Sequence, residues 1–302
     1  MKHRLVLAAS TAFLINTSLP ANALDFGNII GKSLSKGVQS MQDSKQVAKT
    51  SEADEITIGR NLAGPLLGKY KPIQNEALQR YINNVGMWIA LQSSRPKLPW
   101  RFAAVEGSNV NAFALPGGVV VVTRGMLNML SNEAELACVL GHEVAHVDQQ
   151  HHLKVLEGSV AQKGFIDGAV EGVGDEIGKQ GFGGQVVVGL TKDSPQAGAN
   201  ILMTLRLDRG AESEADHEGI LLAAKAGYDP GACLTFMQRL ASGKTATTLM
   251  EDLGKTHPPA ADRATDVEES LRRLKGATPG EGARPPLNLN LSMTDSGKKK
   301  KN

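Results

Sequence analysis

Apolar residues recur at helical spacing through most of the middle of the chain and gather as strands in one region only. Between Ile73 and Leu91, a stripe of Leu78, Tyr81, Ile82, Val85, Trp88 and Ile89 predicts an amphipathic helix. Ser51 to Tyr70 opens on a Ser-x-x-Asp signal and carries Ile56, Ile58, Leu62 and Leu66 at mixed helical spacing. From Leu136 onward, Leu136, Val139, Leu140, Val144 and Val147 keep the i, i+3, i+4 rhythm of a buried helical face. Ser131 or Asn132 can cap that helix, and Glu135 completes a capping box with Asn132. Trp100 to Val105 and Val119 to Thr123 read as strands, with Asn111-Ala112-Phe113-Ala114 between them and Pro116-Gly117-Gly118 as a turn. Val267, Leu271 and Leu274 end the pattern in a short amphipathic helix. The expected fold class is α+β, mostly helical, with a small antiparallel or mixed sheet.

The two ends depart from this pattern. Met1 to Ala23 reads as a secretory signal: Lys2, His3 and Arg4, an apolar run from Leu5 to Ile15, then Ala21-Asn22-Ala23 as a cleavage site. Asn16, Thr17, Ser18 and Pro20 interrupt the run before it reaches the about 20 residues a membrane span needs. No cysteine near the cleavage site offers a lipid anchor, and no later stretch is long and apolar enough to cross a bilayer. The expected division is a signal peptide at 1–23, a flexible polar arm at 24–50, one domain at 51–275 and a disordered tail at 276–302. Lys298 to Lys301 would give that tail a peripheral attraction to anionic membrane surfaces. Between 158 and 198 glycines are dense, and the stretch reads as a mobile lid or a loosely packed insertion.

Composition narrows the function. A chain of 302 residues with 41% hydrophobic content suits one soluble domain with flanking segments. The net charge of +2, with no basic patch interleaved with aromatics, argues against nucleic acid as a partner. The two cysteines, Cys138 and Cys233, form a disulfide in an exported chain or serve as small buried apolar residues.

The candidate chemistry lies on the third predicted helix. His142, Glu143 and His146 spell HExxH. Four residues bring the second imidazole to within roughly 40° of the first, so both reach one metal ion. Glu143 projects about 100° away, beside the ion, where a carboxylate acts as general base. A catalytic zinc needs a third protein ligand and an open position. His152 stands where HExxHxxGxxH would place it, but Gln149 occupies the position that must be glycine. If the helix continues, His152 lies about 9 Å beyond His146, and His151 and His152 are polar residues at a helix end. The other source is Arg209 to Gly219, where Glu212 and Asp216 share a face and Glu214 points away. One carboxylate of that pair can bind metal while the other accepts a hydrogen bond from a ligand histidine.

With HEVAH, Glu212-x-x-Ala215-Asp216, Ala226-Gly227-Tyr228-Asp229-Pro230, Thr256-His257-Pro258-Pro259 and Arg263, the chain resembles metallopeptidase family forty-eight from about Ser51 to Leu274. The likeness is to the HtpX and CAAX prenyl endopeptidase group, and especially its soluble periplasmic BepA-like or LoiP-like branch. It implies a zincin-like (gluzincin) domain with one Zn²⁺ per chain on His142, His146 and Glu212, and Glu143 as the base. It also implies Asp216 behind a ligand histidine, His257 as an oxyanion donor or as the occupant of the fourth metal position, and Arg263 steadying that loop or the substrate. Asn111, Ala112, Phe113 and Ala114 would be the strand an extended peptide pairs with. The implied function is a periplasmic endopeptidase in envelope quality control, acting on polypeptides such as misfolded envelope proteins. The alternative is a chaperone or assembly factor for outer-membrane proteins with latent proteolysis. The helical-repeat domain that BepA-like members carry has no counterpart in the short tail, which points to a stand-alone protease.

Overall fold

Ser51 and Asn75 start the first two helices as side-chain caps, accepting from the backbone N–H of Asp54 and Leu78. In the computed structural model, which describes residues 50–163, 182–204, 207–242, 257 and 260–274, these helices are α1 (Glu52–Lys69) and α2 (Glu76–Ala90). The expected leader, nearly all of the polar arm, and the tail lie outside the described residues. Helix α1 buries Ile58, Leu62 and Leu66, and α2 buries Leu78, Tyr81, Ile82, Val85 and Ile89, as their apolar stripes require.

The strands are β1 (Arg101–Val105), β2 (Ala112–Leu115) and β3 (Val119–Thr123), in the order β1-β3-β2. β1 runs parallel to β3 with Arg101 opposite Val119, and β2 runs antiparallel to it with Ala112 opposite Val122, so the sheet is mixed. Gly117 (φ 76°) makes the turn between β2 and β3, and a Cβ there would sit 2.6 Å from Ile56 Cα. The sheet separates two apolar cores. Ala112 and Ala114 face the larger one, whereas Phe113 and Leu115 join the smaller one with Ile58, Leu62 and Leu66.

After β3 come α3 (Arg124–Met129), α4 (Glu133–Asp148) and α5 (His151–Lys163). Beyond 164–181, which are not described, lie α6 (Phe182–Asp193) and α7 (Pro195–Thr204), followed by α8 (Arg209–Lys225), α9 (Gly231–Ala241) and α10 (Ala260–Leu274). The part of the glycine-dense stretch that is described after this gap, 182–198, is therefore not simply loose backbone. Val187, Thr191, Ala199 and Leu202 are buried, and α6 and α7 pack on α1, where Asn61 Nδ2 donates to Thr191 Oγ1 at 3.2 Å. The apolar surface of α1 offsets the entropic cost of ordering the glycines.

Helix α4 is fastened along its length. Its first turn is held by Asn132, whose side chain accepts from Glu135 N at 2.9 Å. Glu135 does not close the expected capping box on Asn132: its Oε2 accepts from Ser131 N at 2.7 Å, and the carboxylate pairs with Arg239 on α9. Buried Glu133 accepts from the hydroxyls of Tyr81 (3.0 Å) and Tyr228 (2.7 Å), tying α4 to α2 and to the turn after α8. Cys138 is bonded to Cys233 of α9 across 95 residues of chain, a cross-link of a size that contributes roughly 2–4 kcal/mol.

One turn on, α4 crosses α8 with no side chain between the backbones. A Cβ on Gly141 would lie 2.6 Å from the Gly219 carbonyl oxygen, and one on Gly219 would lie 2.7 Å from His142 N. Gly219→Ala should therefore destabilise the protein by roughly 1–3 kcal/mol through overpacking, despite the gain in helix propensity that alanine brings. Urea unfolding measures the change, and a variant as stable as the parent or more so would refute the close crossing.

Candidate metal centre

Two helices deliver most of the site. On α4, His142 and His146 lie one turn apart and their Nε2 atoms converge to 2.9 Å. On α8, Asp208 caps the N-terminus by accepting from Ala211 N at 2.8 Å, and the first turn then carries Glu212 inward. The Glu212 carboxylate lies 3.6 Å from the Nε2 of both histidines. His257 joins from the segment before α10, its Nδ1 2.9 Å from both Glu212 oxygens. One ligand atom from each of these four residues lies within 4.8 Å of the others.

The surrounding hydrogen bonds aim the donors. His142 presents Nδ1 to Asp216 Oδ1 at 3.0 Å, leaving Nε2 for the centre. Arg263 of α10 donates from Nε to Asp216 Oδ2 at 2.8 Å, pairs with Asp216 again through Nη2, and reaches Glu212 Oε2 through Nη1 at 3.1 Å. Burial works to raise the pKa of Asp216, but the Arg263 guanidinium and His142 hold it well below the usual carboxylate range. Burial likewise opposes ionisation of Glu212, and His257, His142 and Arg263 outweigh it, lowering the pKa to about 2. Burial lowers His146 far below an ordinary imidazole, with the neighbouring histidines adding to the effect. Burial and Arg263 work to lower the His142 pKa, but Asp216 and Glu212 outweigh them and raise it. The centre thus sets an ionised carboxylate beside imidazole nitrogens, the donor types a borderline divalent cation such as zinc takes.

Glu143 stands apart from this network. It is buried, and its Oε2 finds no hydrogen-bond partner among the described residues. Burial raises its pKa, the direction that brings a carboxylate toward proton transfer near neutral pH. Apolar surface flanks it on both sides. Val139, Phe236, Met237, Leu240 and Val267 line the cleft toward α9 and α10, and Phe113, Ala114, Leu202 and Met203 line a second cavity toward β2 and α7. Of the strand residues singled out, Ala112, Phe113 and Ala114 line these cavities with Glu143 and His257. Asn111 instead sits just before β2, its Oδ1 accepting from Ala112 N at 2.9 Å and its backbone N–H donating to Thr123 Oγ1 at 3.1 Å.

His151 and His152 are not polar residues at a helix end. Helix α4 stops at Asp148, Gln150 takes φ 58°, and α5 starts at His151, which folds both imidazoles back toward His146. Gln150 holds this left-handed conformation without being glycine, and its Nε2 donates to buried Glu55 at 2.8 Å. Glu55 also accepts from Gly117 N (3.0 Å) and from both terminal nitrogens of Arg95 (3.0 and 2.6 Å). His151 is buried, with Nδ1 2.9 Å from His146 Nδ1 and Nε2 3.1 Å from Glu214 Oε2. His152 lines the cavity against β2, its Nδ1 buried without a partner among the described residues, and burial lowers its pKa to about 3. The sequence carries a sign of this corner: the apolar rhythm of α4 fails at Gln150 and His151, the two positions that follow Val147 at i+3 and i+4.

The model of peptidase family M48 matches residues 72–271. The chain is 27% identical over 290 residues to the beta-barrel assembly-enhancing protease of Escherichia coli (strain K12), covering 91% of this chain and 53% of that protein. It is 30% identical over 214 residues to the beta-barrel assembly-enhancing protease of Yersinia pestis, covering 67% and 41%. It is 32% identical over 180 residues to the mitochondrial metalloendopeptidase OMA1 of Arabidopsis thaliana, covering 58% and 33%. The chain spans about half the length, or less, of these relatives.

Arg263 faces two buried carboxylates, and a bound cation would share that task. Arg263→Met should cost the metal-free protein about 3–5 kcal/mol, because Asp216 and Glu212 lose their counter-charge. Added zinc should recover part of the loss. Thermal melts in chelator and in zinc test this, and an equal deficit in both would argue that no cation shares the charge.

Proposed function

Because the chain belongs to peptidase family M48, we propose that it is a zinc-dependent endopeptidase of the gluzincin arrangement, with His142, His146 and Glu212 as the metal ligands and Glu143 as the general base. The observation that carries this reading is the convergence of three imidazole nitrogens and one carboxylate within 4.8 Å, next to a buried carboxylate oxygen that has no partner among the described residues. Bound there, zinc would supply Lewis acidity, polarising the scissile carbonyl and making water acidic enough to attack it near neutral pH.

The chain's own residues do the rest. Glu143 takes the proton from the attacking water and hands it to the leaving amine, a role its upward-shifted pKa favours. Asp216 fixes His142, and Arg263 fixes Asp216 and Glu212, so the ligands are oriented before substrate arrives. The apolar walls exclude water from the reacting groups and favour bulky apolar side chains next to the cleaved bond. An extended peptide lies along β2, the outer strand of the sheet, with Ala112 to Ala114 as its platform. His257 is the fourth donor of a closed resting site, and its withdrawal opens the position that catalysis needs.

The biological setting is part of the same proposal. The leader read at 1–23 exports the chain to the periplasm, and its substrates are polypeptides of the envelope, including misfolded outer-membrane proteins. The bacterial relatives, which are beta-barrel assembly-enhancing proteases, support that setting. Among the described residues, no helix is long and apolar enough to cross a membrane.

Glu143→Gln should retain close to one zinc per chain while casein proteolysis falls about 10²-fold or more, and His146→Ala should lose both. Full activity in the Gln variant would reject Glu143 as the base. Glu212→Ala should empty the site, whereas His152→Ala should keep most of its zinc; the reverse pair of results would reassign the third ligand. His257→Ala, assayed at equal zinc content, should raise basal proteolysis. A drop of about 100-fold would instead make His257 an oxyanion donor, and unchanged turnover would leave it neither role.

A further inference from the structure

We propose that His151 and Glu214 form a relay that orients and polarises His146 toward the metal, making them positioning residues of the centre. This rests on the metal reading above, and the chain of contacts dictates its own proton arrangement. His146 Nε2 faces the centre, 2.9 Å from His142 Nε2 and 3.6 Å from Glu212. To bind a cation it must present a lone pair there, which puts its hydrogen on Nδ1. The Nδ1 of His151 lies 2.9 Å away, and only one hydrogen fits between the two nitrogens, so His151 accepts. The hydrogen of neutral His151 then sits on Nε2, where Glu214 Oε2 accepts it at 3.1 Å. Each donor meets an acceptor, and the series ends on a carboxylate. Its charge favours electron density on His151 Nδ1, and through the shared hydrogen on His146, which makes Nε2 a stronger ligand.

The two metal histidines are therefore held by different devices. Asp216 contacts His142 directly at 3.0 Å from the same helix that supplies Glu212. Among the described residues, no carboxylate contacts His146 Nδ1, and an imidazole spans the gap to Glu214, which lies on the other side of α8 from Glu212. Delivering that imidazole takes the left-handed turn at Gln150, held by Glu55. His151 is 4% exposed, while the Glu214 side chain is 50% exposed, so Glu214 can be altered without disturbing the core.

The test measures zinc affinity of the full chain by competition with a chromophoric chelator, alongside the visible spectrum of the cobalt-substituted protein. His151→Phe keeps the ring volume but removes the acceptor, and should weaken zinc binding by about 10–100-fold. His151→Asn, whose amide oxygen can accept from His146, should recover part of that affinity. Glu214→Gln should weaken binding by a smaller factor in the parent and have no effect in the His151→Phe background, because its influence passes through His151. The cobalt spectrum should shift in His151→Phe and Glu214→Gln alike. Parental affinity in His151→Phe, or an equal effect of Glu214→Gln with and without His151, overturns the relay and leaves the metal reading intact. A parent chain that takes up no zinc overturns the metal reading itself. If His151→Phe fails to fold, Glu214→Gln with an unchanged cobalt spectrum and unchanged affinity still overturns the relay.

Discussion

Where α4 and α8 cross, Gly141 and Gly219 let two backbones approach more closely than any other residue pair would allow, since a Cβ on either would meet main-chain atoms at 2.6–2.7 Å. The consequences follow from position along each helix. His142 is the next residue after Gly141, and Asp216 and Glu212 lie about one and two turns before Gly219. Fixing the crossing fixes the separation of imidazole from carboxylate, and a shift of about one methyl radius would spoil a cluster whose ligand atoms now lie within 4.8 Å. The tyrosine, arginine and disulfide contacts along the first half of α4 hold its remaining freedom.

Charge is concentrated where the apolar environment makes it costly. Glu212, Asp216 and Arg263 are all buried, and each is tolerated because the others are there. Glu143 forms no ion pair among the described residues, and burial raises its pKa against the nearby His257, His142 and Arg263. One site therefore lowers the pKa of one carboxylate and raises that of a second, by environment alone, as the proposed roles of ligand and base would require.

Much of this was legible in the sequence because it is local. HExxH, the Glu212 and Asp216 pair and the apolar stripes of α1, α2 and α4 are statements about residues one or two turns apart, which helical geometry converts directly into faces. What was not legible is set by contacts distant in sequence. Gln150 has no propensity for φ 58°; it takes that value beside Glu55, 95 residues earlier, and so His151 was read as the polar end of a continuing helix. Glu135 satisfies a local capping pattern, yet Arg239, 104 residues away, draws its carboxylate elsewhere. The glycines of α6 and α7 argue against helix by composition, and the surface of α1 overrides them. The cysteines had no local signal for or against bonding, and only the placement of α9 beside α4 pairs them.

Glu55 has a mechanical meaning. One of its oxygens accepts from Gly117, in the turn that shapes β2 and β3, and the other from Gln150, at the corner that carries His151. The strand along which a peptide would lie and the corner behind His146 are thus bolted to the same buried carboxylate, and neither can swing without pulling the other. They form the fixed jaw of a vice. If the cleft takes a polypeptide as proposed, widening it for a bulky chain would fall to the opposite jaw, where α10 bears Arg263 and His257 precedes it. The compliance of that side would then set the thickest chain that the cleft could grip.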